Sequence, residues 1–144
     1  MTQTMRRYVV MVLSALALTW FGAAQAQSLE ALETQVATAV QHAGFSASAD
    51  EHAMAVRHLG HVLNCIAGED GEGFDGAWGH PCGGQGSGIL VDVEAHAHAA
   101  DVAGLLAAAH ALAMQGVTAE SLGAVHAAAA GVRALLEVLA GFGG

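Results

Sequence analysis

The chain has 144 residues, of which 54% are hydrophobic and 12% are charged, and its formal net charge is −9. This composition argues against a disordered chain, which would be poor in apolar residues and rich in charged ones. Four basic residues against 13 acidic ones also argue against a nucleic-acid partner, because phosphate binding requires clustered Lys and Arg. The length suits one domain with a short extension.

The first 26 residues have the order of a secretory signal peptide. Arg6 and Arg7 precede an apolar run from Tyr8 to Phe21, and the triplet from Ala24 to Ala26 has the small residues of a cleavage site. The apolar run is too short to span a bilayer. We therefore expect cleavage after residue 26 and a mature chain of residues 27–144 in the periplasm or outside the cell. Two arginines against 13 acidic residues then leave a net charge of −11.

Four helical stretches, separated by Gly-rich or Ser-rich breaks, are predicted in the mature chain. The first runs from Ser28, its N-cap residue, to about Ala43, and the second runs from the capping box Ser48–Glu51 to about Ile66. The third starts between Ile89 and Val93 and ends near Gly116, and the fourth runs from Thr118, its N-cap residue, to just before Gly141. The last stretch has the clearest apolar seam, with residues three and four apart: Leu122, Val125, Ala129, Val132, Leu136 and Leu139. This pattern predicts an all-α, antiparallel four-helix bundle over residues 27–144. No run after residue 26 reads as a membrane span.

A segment of different composition, residues 68–88, separates the second and third predicted helices. It contains nine glycines and the only proline of the chain. Cys82 lies in this segment and Cys65 lies in the last predicted turn of the second helix. Because an exported protein meets an oxidising compartment, the two cysteines are expected to form a disulfide. Such a cross-link closes a loop of about 16 residues and contributes about 3 kcal/mol in the chain-entropy model.

Three histidines are expected to converge at this cross-link. His80 lies two residues before Cys82, and His61 lies one helical turn before Cys65, with His58 three residues earlier on the same face. Imidazole nitrogens favour copper, zinc and nickel, so these residues are the principal candidate metal ligands. Lesser candidates are Met54, whose thioether would favour copper, and Asp75. The plainer alternative is that these histidines only form hydrogen bonds.

Two further histidines are predicted to face the core. His98 falls within the apolar face of the third predicted helix, and His52 falls within that of the second. A buried imidazole needs a hydrogen-bond partner, so both residues are either satisfied core histidines or ligands that face each other across the core. In the second case they would bind a metal ion or the axial positions of a haem group.

The sequence offers little support for an enzyme. No C-x-x-C-H motif for covalent haem, no phosphate-binding glycine motif and no identifiable catalytic nucleophile is present. We therefore expect a non-enzymatic, exported metal-binding protein that buffers or transports copper, zinc or nickel. The alternatives are a bundle that binds haem or a small ligand, and a structural or interaction module that uses Phe74 and Trp78 as anchors, since aromatic residues are enriched in interface cores.

A composite motif surrounds the two cysteines. It comprises His58-x-x-His61-Val62-x-Asn64-Cys65, then Gly71-Glu72-Gly73-Phe74-Asp75, then His80-Pro81-Cys82-x-Gly84-Gln85-Gly86-x-Gly88 and Asp92. These roughly 35 residues resemble small secreted bacterial proteins of unassigned function, in which helices flank a loop held by a disulfide. The resemblance implies that fold and a secreted habitat, without an activity. More loosely, the chain is similar to periplasmic His-rich metal-binding bundles, although it lacks their regular histidine repeats.

Overall fold

The structure, a computed structural model, describes residues 29–142 and is all-α within them, with no strand. The predicted all-α class is therefore confirmed. The structure has five α-helices where four were predicted: α1 (29–48), α2 (His52–Ala67), α3 (Ile89–Asp92), α4 (Ala99–Val117) and α5 (Leu122–Gly141). The predicted signal peptide and the Ser28 cap lie outside the described residues.

Helix α1 is longer than predicted, because it continues through Gly44 to residue 48. The predicted capping box at the start of α2 is wrong. Instead of capping α2, the Ser48 hydroxyl donates to the Gly44 carbonyl, one turn back within α1. Helix α2 begins at His52 with Glu51 as its N-cap residue, and no side-chain hydrogen bond caps it. The connection between the two helices is therefore very short.

Helices α1 and α2 form an antiparallel hairpin around this connection. The buried Ser46 hydroxyl donates to the Ala55 carbonyl at 2.8 Å, and further from the turn His42 contacts His58. Residues equally distant from the turn therefore face each other. Helix α2 is the most deeply buried helix, because almost every residue from Leu59 to Ala67 is buried between α1 and the later helices.

The third predicted helix is broken into two. Helix α3 ends at Asp92, a 3-10 turn covers Val93–Ala95, and α4 starts only at Ala99. The Asp92 carboxylate accepts from the buried Gln35 amide at 2.6 Å and from the Ser87 N–H at 2.8 Å, which ties this turn to α1. His96 then takes an extended conformation, and the chain changes direction into α4.

Helix α5 carries the predicted seam but starts later than predicted. Thr118 bonds back to the Gln115 carbonyl, and Ser121 is the N-cap, accepting from the Ala124 N–H at 3.2 Å. Leu122 is only partly buried. The other seam residues are buried in the common core: Val125, Ala129, Val132, Leu136 and Leu139.

Helices α4 and α5 are long and apolar enough to cross a membrane, judged by length and composition alone. Their mean hydropathies over the most apolar stretch are 1.3 and 1.5, and 28% and 33% of those stretches are buried. An alanine-rich core helix has the same composition, and both helices supply core residues such as Val102 and Val132. The absence of a membrane span after signal cleavage therefore stays a prediction.

The segment between α2 and α3 is ordered around one cross-link and one amide. The Cys65–Cys82 disulfide is present, with a Cα–Cα distance of 5.3 Å, as predicted. The buried Asn64 side chain donates to the carbonyls of Asp75 and Gly79 and accepts from the Asp75 N–H. At the base of the segment, the backbones of Gly68 and Gly88 are in contact, and both residues have positive φ. A Cβ atom on either residue would overlap the backbone around the other, so both positions require glycine.

Gly60 allows this segment to pack against α2. A Cβ at Gly60 would overlap the Trp78 indole, which is partly buried against the core. We expect Gly60→Ala to destabilise the protein by about 1–3 kcal/mol, because an extra methyl group in a packed contact forces the neighbours apart. Urea unfolding followed by fluorescence measures this, since Trp78 is the one tryptophan in residues 29–142.

Gly104→Ala is the matched control for Gly60→Ala. A Cβ at Gly104, inside α4, meets no atom within 4 Å. Because alanine favours the helix over glycine, this variant should be stabilised by about 0.5–1 kcal/mol. An unchanged stability and an unchanged Trp78 emission in Gly60→Ala would contradict the packing described for α2.

Candidate metal centre

Three histidines from the α1–α2 hairpin form a compact group. His42 lies on α1, and His58 and His61 lie one turn apart on α2. The His42 Nδ1 atom is 3.1 Å from the Nδ1 atom of His58 and 3.0 Å from that of His61. Among the residues that the structure describes, this is the one group of three or more potential ligands whose donor atoms all lie within 4.8 Å of one another. We call these three residues the histidine triad.

The spacing and the hairpin together explain the triad. Residues three apart on a helix share a face, which brings His58 and His61 together. His42 joins them because it is as far before the turn as His58 is after it. The three ring centroids are 4.7–5.5 Å apart, and the His61 ring is nearly perpendicular to the other two. The Nδ1 atoms of His58 and His61 both approach the Nδ1 atom of His42.

The loop segment fixes the orientation of His61. Its Nε2–H donates to the Trp78 carbonyl at 2.5 Å. A carbonyl only accepts, so Nε2 carries the proton and Nδ1 presents its lone pair toward the triad. A hydrogen bond from the outer nitrogen to a backbone carbonyl is the usual device that sets the tautomer and the angle of a metal-ligating histidine.

The surroundings keep all three rings neutral. Burial, together with the neighbouring His61 and His58, lowers the pKa of His42 to about 4. Burial also lowers the pKa of His58, assisted by His61 and Arg57. For His61, burial lowers the pKa more than the hydrogen bond to Trp78 raises it. Because neutral imidazole is the form that binds metals, the triad is ready to coordinate an ion at neutral pH.

The distances suit a small transition-metal ion. A tetrahedral ion with metal–nitrogen bonds of about 2.0–2.1 Å holds its donor atoms about 3.3 Å apart. The 3.0 and 3.1 Å distances from His42 to its two neighbours are slightly shorter than this, and all three donor atoms lie within 4.8 Å of one another. Without a metal ion, one proton on His42 Nδ1 serves both of its neighbours. An ion at this place would need that proton on the Nε2 atom of His42, so that His42, His58 and His61 could each offer it a nitrogen lone pair.

Two of the three principal ligands predicted from the sequence belong to the triad, and His80 does not. The disulfide does bring the loop segment to His61, but the atoms that arrive are the Trp78 carbonyl and the Gly79 backbone. The His80 ring packs edge-on against Phe74, with centroids 5.2 Å apart, and its buried Nδ1 has no hydrogen-bond partner.

The two lesser candidates differ in position. The Asp75 carboxylate accepts from the Ala77 N–H at 2.9 Å and caps a 3-10 turn, so it is occupied away from the triad. Met54 is exposed and lines a surface hollow together with His58 and Phe45.

The predicted pair of core histidines is not observed. His52 and His98 are both exposed. His52 bonds to the Ala119 carbonyl beyond the end of α4, whereas His98 precedes the start of α4 and contacts Asp101 at 3.2 Å. The length of α4 separates them, so they cannot hold a haem group between them. The helical phase placed them on apolar faces, but each lies at a helix end where the chain turns outward.

The predicted aromatic anchors are also less available than expected. Trp78 packs over Gly60 and joins the core, and Phe74 is half-buried beside His80. Neither side chain is exposed. An interaction module that inserts both residues into a partner is therefore not supported.

His42 is the site residue that sequence reasoning missed. The sequence predicts that the first helix ends at Ala43, because a glycine such as Gly44 commonly follows the last residue of a helix. A helix that continues to residue 48 makes the connection to α2 very short, and counting outward from that connection pairs His42 with His58. The sequence feature that indicates this pairing is that His42 and His58 lie the same number of residues before and after Asp50.

Comparisons with known proteins add nothing to these observations. No protein-family model matches the chain, and neither a curated protein nor a solved structure matches it. The resemblance of the cysteine motif to secreted bacterial proteins therefore stays a prediction, and the geometry of the triad is the main indication of function.

The lowered pKa values predict an acid-sensitive metal-free protein. His42 stays neutral in the fold down to about pH 4, whereas an unfolded histidine binds a proton below about pH 6.5. The free energy of unfolding therefore has its full value above about pH 7 and falls as the pH falls toward about 4. His58 and His61 act in the same direction. Melting temperatures measured with a chelator across this range should show the decline, and His42→Gln should show a shallower one. Parallel curves for the two proteins would contradict the assignment.

Proposed function

We propose that this chain is an exported, non-enzymatic metal-binding protein that buffers or transports copper, zinc or nickel ions. The observation that carries the proposal is the convergence of three neutral Nδ1 atoms, from His42, His58 and His61, with contacts of 3.0–3.1 Å. The proposed four-helix bundle serves as the scaffold, since α1 and α2 supply the ligands and the later helices bury the back of α2.

The donor set favours borderline metals. Three imidazole nitrogens without a thiolate or a carboxylate suit copper, zinc and nickel. Magnesium and calcium prefer oxygen donors and would bind poorly. A haem group is disfavoured, because His52 and His98 lie at opposite ends of α4.

Export supports the same proposal. The predicted signal peptide at residues 1–26 would deliver residues 27–144 to the periplasm or to the outside of the cell, where the Cys65–Cys82 disulfide is stable. A net charge of −11 on the mature chain would attract cations at low ionic strength. In this proposal the protein stores or transports the ion and does not use it in a reaction.

Thermal unfolding of residues 27–144 with added metal ions tests the proposal. An ion that binds only the folded state raises the free energy of unfolding by about 2.7 kcal/mol at a hundredfold excess over its Kd. We expect Zn²⁺, Cu²⁺ or Ni²⁺ to raise the melting temperature, and a chelator to reverse the rise. Mg²⁺ should have no effect. A melting temperature that responds to none of the three transition metals would overturn the proposal.

A further inference from the structure

The histidine triad leaves one coordination position to fill. A four-coordinate ion bound by three Nδ1 atoms needs a fourth donor. Within the described residues, no carboxylate or thiolate joins the three histidines within 4.8 Å. The fourth donor would then be water, a backbone carbonyl or a side chain of another chemical type.

The surroundings restrict where that donor can come from. The outer nitrogen of His61 is bonded to the Trp78 carbonyl, which closes that side. Phe45 packs edge-on against His42 and is tilted against His58. Beyond Phe45 and His58 lies an open surface hollow, which the acidic rim of Asp50 and Glu51 also lines.

Met54 is the soft donor that this hollow offers. It lies one turn before His58 on the same face of α2 and lines the hollow with His58 and Phe45. Its side chain is 42% exposed, so the thioether is not committed to the core. Three rotatable bonds allow a methionine to swing its sulfur toward a neighbouring ligand.

The charge of the site favours a monovalent ion. Three neutral imidazoles and a neutral thioether place no negative charge on the metal, and the adjacent Arg57 adds a positive one. A divalent ion would keep its whole charge uncompensated in a partly buried place, which costs more than for a monovalent ion. The exposed carboxylates at the rim can attract an ion without coordinating it.

We infer that the Met54 thioether is the fourth ligand and that the site holds Cu(I). Thioethers and imidazoles suit this soft ion, whereas Zn²⁺ gains little from a thioether. The inference depends on the proposed function, because it names the ion and the remaining ligand of the same site.

The test compares Cu(I) and Zn²⁺ affinities of the wild type and of Met54→Leu, with ascorbate as reductant and a chromophoric Cu(I) chelator as competitor. The substitution keeps volume and apolar character, so the fold should survive. We expect Cu(I) affinity to fall about tenfold or more, since changes in the immediate environment of a metal cost about 10–100-fold. The Zn²⁺ affinity should change less than about twofold, because Zn²⁺ gains little from a thioether.

Met114→Leu is the control, since Met114 lies on α4, where it packs against the core and against Gly73. It should bind both ions like the wild type. X-ray absorption of the Cu(I) protein should show one sulfur neighbour that Met54→Leu lacks. Equal Cu(I) affinity in wild type and Met54→Leu, or an all-nitrogen shell in the wild type, would overturn this inference and leave the proposed function intact. A wild type that binds no transition metal would overturn both.

Discussion

Replacing His42 by alanine should lower the affinity of residues 27–144 for transition metals by about 100-fold or more. The His42 Nδ1 atom lies within 3.1 Å of the Nδ1 atoms of the other two histidines, so its loss leaves only the two histidines on α2. Changes that merely disturb the environment of metal ligands already cost about 10–100-fold, and the loss of a ligand costs more. Isothermal titration with Zn²⁺ and competition with a Cu(I) chelator measure the change.

His80→Ala is the matched control for His42→Ala. The sequence analysis predicts His80 as a ligand and does not include His42, but in the structure the His80 ring packs against Phe74 outside the triad. The metal affinity of His80→Ala should stay within about threefold of the wild type, well below the 10–100-fold effects of changes near a metal. A loss in His80→Ala equal to that in His42→Ala would show that the loop supplies a ligand and that the triad is misassigned.

Removing the Cys65–Cys82 disulfide should cost about 3 kcal/mol of stability. The two cysteines are 17 positions apart and both are buried, so their bond restricts the unfolded chain and closes the segment onto α2. This is a large share of the 5–15 kcal/mol typical of a domain. Urea unfolding of the Cys65→Ala/Cys82→Ala double variant should show it, and a reductant should lower the wild type by a similar amount.

The reductant has a second use as a control. It should leave the double variant unchanged, since no cysteine remains. The metal affinity of the double variant should fall only moderately, by about tenfold, because the cross-link acts on the triad solely through the Trp78 carbonyl that orients His61. A double variant as stable as the wild type would mean that Asn64 and the packing of Trp78 hold the segment unaided.

The sequence predicted those parts of the fold that depend on local patterns. Gly68, at positive φ, ends α2 within one residue of the predicted stop, and the seam of α5 is buried as its spacing indicated. The elements that were missed depend on contacts between distant residues. The break after Asp92 follows from its bonds to Gln35 and Ser87, which no pattern within the helix reveals.

For the site too, the sequence predicted what depends on local spacing and missed what depends on contacts between distant residues. His58 and His61 follow from their spacing on one helix. His42 depends on where α1 ends, and an isolated glycine such as Gly44 lowers helix propensity by only about 1 kcal/mol, which packing of α1 overrides. The cysteine spacing located the loop correctly, but it could not say that a main-chain oxygen rather than the His80 ring would face His61.

The contact between Gly68 and Gly88 makes the intervening segment a nearly closed ring on the protein surface. Its two ends are neighbours, so added residues would lengthen the ring without pushing α2 and α3 apart, at an entropic cost of only about 0.6 kcal/mol for each doubling of its length. Gly84 has open space around its Cβ position. This position is therefore a natural place to insert an epitope or a fluorescent reporter, while every nitrogen of the triad stays on the helical hairpin.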